Sequence, residues 1–270
     1  MPSVTRREFV IGSGVLLGSA IAMPRALAQA PPASAGPAAP QLIEDLVAAN
    51  RILADQGVVD GYGHASVRHD KDPGRYLMSR SLAPELVTAA DILEYDLDSN
   101  PVDAQGRATF IERFIHGEIY KARPDVKAIV HNHSPSVIPF GVSGQTLRPL
   151  YHMSAFLGGG VPLFEIRQAG GMTDMLIRNP ALGQALARTL GDRPVALMRG
   201  HGAVVVGPSI QLTVFRSVYT EVNARLQAQA MALGGQVNYL EPDEARQAEA
   251  SVSGTIARPW ELWKRRAMPK

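Results

Sequence analysis

Ala128-Ile129-Val130-His131-Asn132-His133-Ser134 is the stretch that decides the fold. The continuous apolar run Ala128-Ile129-Val130, within a strand from Val126 to His133, reads as buried on both faces, and Pro124 ends the helical pattern before it. Side chains alternate along a strand with period two, so His131 and His133 project to one face where the strand meets solvent. Two imidazoles on one face are placed to share a cation. The competing reading is a pair of unrelated polar residues in the loop after the strand.

Upstream, Thr109 to Ala122 has helical spacing, with Ile111, Phe114, Ile115 and Ile119 on one side. Glu112 lies at its start, a short connection from the strand, so its carboxylate is placed to be a ligand or a general base. Pairing with Arg113, or with His116 one turn on, is the alternative use of that carboxylate. Downstream, Arg199-Gly200-His201-Gly202 separates the apolar segments Val195–Met198 and Ala203–Val206. Histidine forms turns less readily than Asn or Asp, so a glycine-flanked His201 is a candidate third ligand.

The rest of the chain frames this centre. A helix starts near Gln41 and ends near Gly57, followed by strands Ala65–His69 and Tyr76–Ser79, and a third at Ile92–Leu97. Helices are expected over Pro180–Leu190 and Ser209–Leu233. Together these give one α/β domain with a mixed sheet covered on both faces. His64, in Gly61-Tyr62-Gly63-His64, sits in a glycine-rich loop suited to substrate contact. His69, beside charged residues, reads as a surface histidine. Trp260 and Trp263 are candidates for an intersubunit contact or for core packing.

The amino terminus reads differently. Arg6-Arg7 precedes an uncharged run from Val10 to Met23 and then Ala26-Leu27-Ala28, which is the pattern of a twin-arginine signal peptide over residues 1–28 and implies export to the periplasm. The run is too short and too rich in small residues to span ~30 Å of hydrocarbon, so no stable membrane anchor is expected. Pro31-Pro32-Ala33-Ser34-Ala35-Gly36-Pro37, within residues 29–40, reads as a flexible linker. Arg6, Arg7 and Arg25 against Glu8 account for the whole formal charge of +2, so the basic pI gives no reason to expect nucleic acid as a partner. The remaining basic cluster, Lys264-Arg265-Arg266, reads as a solvated tail. With no cysteine in the chain, metal ligands must be His, Asp or Glu.

Taken together, Gly63-His64-Ala65-Ser66-Val67-Arg68, Glu112 to Tyr120 with Arg123-Pro124-Asp125, the His131-Asn132-His133 strand and Arg199-Gly200-His201-Gly202 resemble the class II aldolase/adducin family in order and separation. The resemblance spans residues 41–240 and leaves 241–270 as a carboxy-terminal extension. It implies a single-domain αβα sandwich with a largely antiparallel central sheet, and a Zn²⁺ or Mn²⁺ ion held by His131, His133 and His201. Glu112 takes the place of the acid/base glutamate, and a homotetramer is the implied assembly.

The departures from the family pattern concern the substrate. His64 replaces an asparagine, Ser79-Arg80-Ser81 stands in a Thr-Gly region, and Phe110-Ile111 replaces a Ser-Ser pair that holds phosphate. A phosphate would lose charge-assisted hydrogen bonds worth ~1.5–3 kcal/mol each. A small hydroxy-carboxylate or hydroxyaromatic substrate fits better, with His64, Ser79, Arg80 and Ser81 as candidate contacts. Arg80 could fork a carboxylate, or pair structurally with Asp91 or Glu85. The resemblance therefore implies a carbon–carbon lyase, decarboxylase or aldolase, of the non-phosphosugar branch. The alternatives are a sugar-phosphate aldolase or epimerase, a metallohydrolase and a non-catalytic adducin-like interaction domain.

Overall fold

The computed structural model describes residues 31–268; the expected signal peptide lies outside them. Seven strands form one sheet: β1 (His64–Arg68), β2 (Arg75–Ser79), β3 (Ile92–Asp96), β4 (Ala128–Asn132), β5 (Leu163–Phe164), β6 (Val195–Met198) and β7 (Gly202–Gly207). Their order is β3-β2-β1-β4-β7-β6-β5, with β5 parallel to β6 and every other pair antiparallel.

The alternation along β4 divides the interior into two layers. Ala128 and Val130 join Leu46, Ile52, Val214 and Phe215 on the face covered by α1 (Pro40–Asp55) and α5 (Ile210–Ala232). Ile129 joins Ile115, Ile119, Leu182 and Leu186 on the face covered by α2 (Phe114–Ala122) and α4 (Pro180–Leu190). His131 shares the face of Ile129 by the period of two, which sends its imidazole toward the start of α2. Local capping fixes the long elements: Ser209 accepts from Leu212 N–H at the start of α5, and Asn179 from Leu182 N–H, with Pro180 at the first helical position of α4.

Three expectations are corrected. Residues 33–36 are pinned along the sheet edge: Ser34 and the Ala35 N–H donate to Glu94, and Arg75 donates to Ala33 O. His69 is buried, and its Nε2 pairs with Gly36 O at 3.1 Å. The carboxy-terminal residues form α6 (Pro242–Ser253) and α7 (Ala257–Ala267), separated from α5 by an irregular stretch. Trp260 and Trp263 pack into the α1–α5 layer, and Lys264 is tied to Glu44 and Asp45 rather than solvated. Helix α3 (Ile166–Gly170) and the two-residue β5 had no sequence signal, being too short to show a period.

Candidate metal centre and substrate cleft

Four side chains meet at the end of the sheet. The loop joining β6 to β7 folds back through Gly200 at φ +60°, and the His201 N–H closes it on Met198 O at 3.0 Å. That turn carries His201 over the end of β4, from which His131 and His133 emerge. Glu112 reaches them from a single 3₁₀ turn, Ile111–Arg113, that precedes α2. One donor atom from each of Glu112, His131, His133 and His201 lies within 4.8 Å of the others.

The hydrogen bonds around the cluster settle which atoms face inward. His131 Nδ1 pairs with Ala203 O and His201 Nδ1 with Met175 O, both at 3.1 Å. A carbonyl only accepts, so both Nδ1 atoms carry the proton and both Nε2 atoms present lone pairs. His131 Nε2 is buried with no hydrogen-bond partner. It stands 3.4 Å from Glu112 Oε2, which is 3.5 Å from His201 Nε2; His201 Nε2 is 3.0 Å from His133 Nε2. Neighbouring ligands of one tetrahedral zinc stand about 3.3 Å apart, given metal–donor lengths of ~2.0–2.2 Å. The lone pairs of His131 Nε2, Glu112 Oε2 and His201 Nε2 converge and repel unless a positive charge lies among them, and His133 Nε2 adds a fourth donor beside them, so the set fits a divalent metal.

Electrostatics point the same way. Burial alone would raise the Glu112 carboxyl, but the imidazoles of His131 and His201, wherever they carry positive charge, hold it far below the carboxylate range, and it also accepts from Ile177 N–H at 3.0 Å. Burial, with His131 and His201 alongside, pushes His133 down to about 4. The acid is a carboxylate and His133 a free base near neutrality, the forms that bind metal.

A cleft of about 410 Å³ opens over the cluster, walled by Tyr62, His64, Ser81, Phe110, Ile111 and Leu176, with Glu112 and His133 at its floor. Its lining is mostly apolar, as small-molecule sites are. The candidate contacts divide here. His64 and Ser81 line the cleft. Ser79 is buried on β2, away from it, and Arg80 turns to Asp91, with Nε 2.6 Å from Oδ1. That ion pair is the structural use of the two readings, and Arg80 is not among the residues that line the cleft.

His116 does not pair with Glu112. It bonds His64 Nδ1 through Nε2 at 2.7 Å and Ser66 Oγ through Nδ1 at 2.6 Å. Burial, with His131 nearby, pushes it down to about 3, so it is neutral. Burial beside His116 and His131 likewise lowers His64 well below its ordinary value. Ser66 and Tyr120, which extend this chain, lie in segments that carry the resemblance but were not singled out, because a hydroxyl on a buried strand or helix resembles any other packed residue.

Comparison with known proteins shows the family. Residues 44–228 match the Class II Aldolase and Adducin N-terminal domain. The chain is 37% identical to Decarboxylase tropJ of Talaromyces stipitatus, over 83% of this chain and 92% of that protein. It is 32% identical to the 3,4-dihydroxyphthalate decarboxylase of Arthrobacter keyseri, over 74% and 82%. Among solved structures, the L-fuculose 1-phosphate aldolase from Glaciozyma antarctica PI12 superposes with a TM-score of 0.69 at 24% identity, covering 85% of this chain and 92% of that one, a likeness of fold. The chain belongs to the class II aldolase and adducin family.

Proposed function

We propose that this protein is a divalent-metal-dependent carbon–carbon lyase that decarboxylates a small hydroxyaromatic carboxylate. The observation that carries this reading is the convergence of three imidazole nitrogens and Glu112 beneath a cleft walled by Phe110 and Ile111. The decarboxylase names of its relatives support it. His131, His133 and His201 would hold the ion; three nitrogens and an oxygen suit Zn²⁺ or Mn²⁺. A bound cation would supply Lewis-acid polarisation of adjacent substrate oxygens.

The remaining chemistry belongs to the chain. Phe110 and Ile111 offer apolar area to an aromatic ring and exclude water from it. Glu112, held as a carboxylate, takes the proton of the substrate hydroxyl. The carboxyl carbon–carbon bond then breaks, carbon dioxide leaves, and the bond's electron pair stays on the ring. Glu112 returns its proton to that ring carbon, and solvent reprotonates the hydroxyl.

The test is direct. Metal-free protein receives one equivalent of Zn²⁺ or Mn²⁺ and then 3,4-dihydroxyphthalate, with L-fuculose 1-phosphate as a parallel substrate. Carbon dioxide release from the first, dependent on metal, is expected; no turnover with either metal, or cleavage of the phosphosugar alone, overturns the reading. A homotetramer is proposed as well, supported by the exposed Tyr62, Ile111 and Val142 around the cleft and the His201 turn; light scattering on the purified protein tests it. The export reading rests on residues 1–28, and fractionation of cells carrying Arg6→Lys with Arg7→Lys tests it.

A further inference from the structure

Behind the cleft wall runs a chain of hydrogen bonds that ends on His64. Tyr120 Oη lies 2.9 Å from Ser66 Oγ, Ser66 Oγ 2.6 Å from His116 Nδ1, and His116 Nε2 2.7 Å from His64 Nδ1. All four residues are buried. His64 Nε2 has no partner among the described residues, and His64 is part of the cleft wall.

The chain can run in two directions. In one, the Tyr120 hydroxyl donates to Ser66, Ser66 donates to His116 Nδ1, and His116 Nε2–H donates to His64 Nδ1. Every hydrogen within the buried chain then has an acceptor, and the remaining His64 proton sits on Nε2, at the cleft wall. In the other, His64 Nδ1–H donates to His116, His116 to Ser66 and Ser66 to Tyr120. The Tyr120 hydroxyl proton is then left with no acceptor, because Ser66 is its one hydrogen-bond neighbour among the described residues and its side chain is closed to water. A buried donor without a partner is disfavoured, so the first direction holds.

Ring packing fixes where that proton points. The His64 ring lies 4.4 Å from Phe110, 4.8 Å from His116 and 5.2 Å from His131, tilted against each. It therefore has neither the tautomer nor the rotation of a free imidazole.

We propose that Tyr120, Ser66 and His116 lock His64 as its Nε2–H tautomer, and that this N–H is the donor that reads the carboxylate of the substrate. The second half rests on the lyase reading; the first half does not. An N–H at this wall attracts an anionic oxygen beside the metal centre and, unlike a lysine or arginine, adds no full charge next to it. Ser66 and His116 act through His64 and are positioning residues.

Two measurements test the proposal on intact, full-length protein. Ring ¹⁵N spectra, assigned with His64→Gln, are expected to show a pyridine-type Nδ1 and a pyrrole-type Nε2 for His64. Ser66→Ala leaves His116 Nδ1 unpaired in either tautomer and removes the link to Tyr120, so the Nδ1–H form of His64 should become populated. A wild-type His64 protonated at Nδ1, or a spectrum unmoved by Ser66→Ala, overturns the lock. On Zn²⁺-loaded protein, His64→Leu is expected to weaken 2,3-dihydroxybenzoate about tenfold, the value of one hydrogen bond to a charged group, while leaving catechol binding within twofold. His64→Gln, which keeps an N–H donor, should recover part of the loss. Equal weakening of both probes overturns the carboxylate role. Failure of wild-type protein to bind either probe overturns that role and counts against the lyase reading, while the spectra still decide the lock.

Discussion

Gly202 and Asn132 touch backbone to backbone: a Cβ at position 202 would stand 2.0 Å from the Asn132 carbonyl oxygen and 3.0 Å from His133 Cα. Asn132 separates two of the proposed ligands and Gly202 follows the third, so the antiparallel pairing of β4 and β7 is also what holds the cluster together. Gly202→Ala must push the strands apart there. The expected cost is ~1–3 kcal/mol of stability from overpacking, together with loss of most of the bound metal. Chemical denaturation and metal analysis of the purified variant measure the two effects. Full metal content with unchanged stability would show that the cluster does not depend on this close approach.

Glu112→Gln separates metal binding from proton transfer. The amide oxygen can still accept from Ile177 N–H, and three imidazoles remain for the ion. Metal content should persist, while kcat for decarboxylation falls roughly 10²–10⁴-fold, the range for a lost general acid/base. A variant that loses its metal outright would make Glu112 chiefly a ligand.

His131 on β4, and His133 one residue past its end, were legible because period two is a strong local constraint. His201 was legible because glycines on either side of a histidine are a poor choice for a turn with no task. Glu112 was placed by its nearness to that strand, although its backbone is a 3₁₀ turn rather than helix. Arg80 could not be resolved from sequence: a fork aimed at a substrate and one aimed at Asp91 have the same neighbours along the chain. His69 was misjudged because its burial comes from Gly36, more than thirty residues away. Trp260 and Trp263 left their partner open for the same reason; a helix face shows that it must be covered, and not by what.

Arg80→Ala tests that resolution. Arg80 is partly exposed and pairs with an Asp91 that also accepts from Thr88. Removing it should cost about 0–1 kcal/mol of stability, as exposed ion pairs do, and leave KM for the aromatic carboxylate within twofold. A rise in KM of tenfold or more would return Arg80 to the substrate.

The acid response of the metal-free protein follows from His116. Its burial, with His131 close by, lowers it from an ordinary value of 6.5 to about 3. Between those values the unfolded chain takes up a proton that the folded chain refuses. Stability is therefore fully present above pH 6.5 and drains as the pH falls toward 3, by ~1.4 kcal/mol per pH unit for this one group. His64, lowered in the same sense, steepens the loss. Urea unfolding of metal-free protein at pH 7, 6 and 5 should show the slope, and His116→Phe should flatten it by about one proton's worth. That substitution also takes away the partner of His64 Nδ1, so its stability at pH 7 should be lower than wild type even as its slope is shallower. A variant with the wild-type slope would mean that His116 takes up its proton in the folded protein as readily as in the unfolded chain.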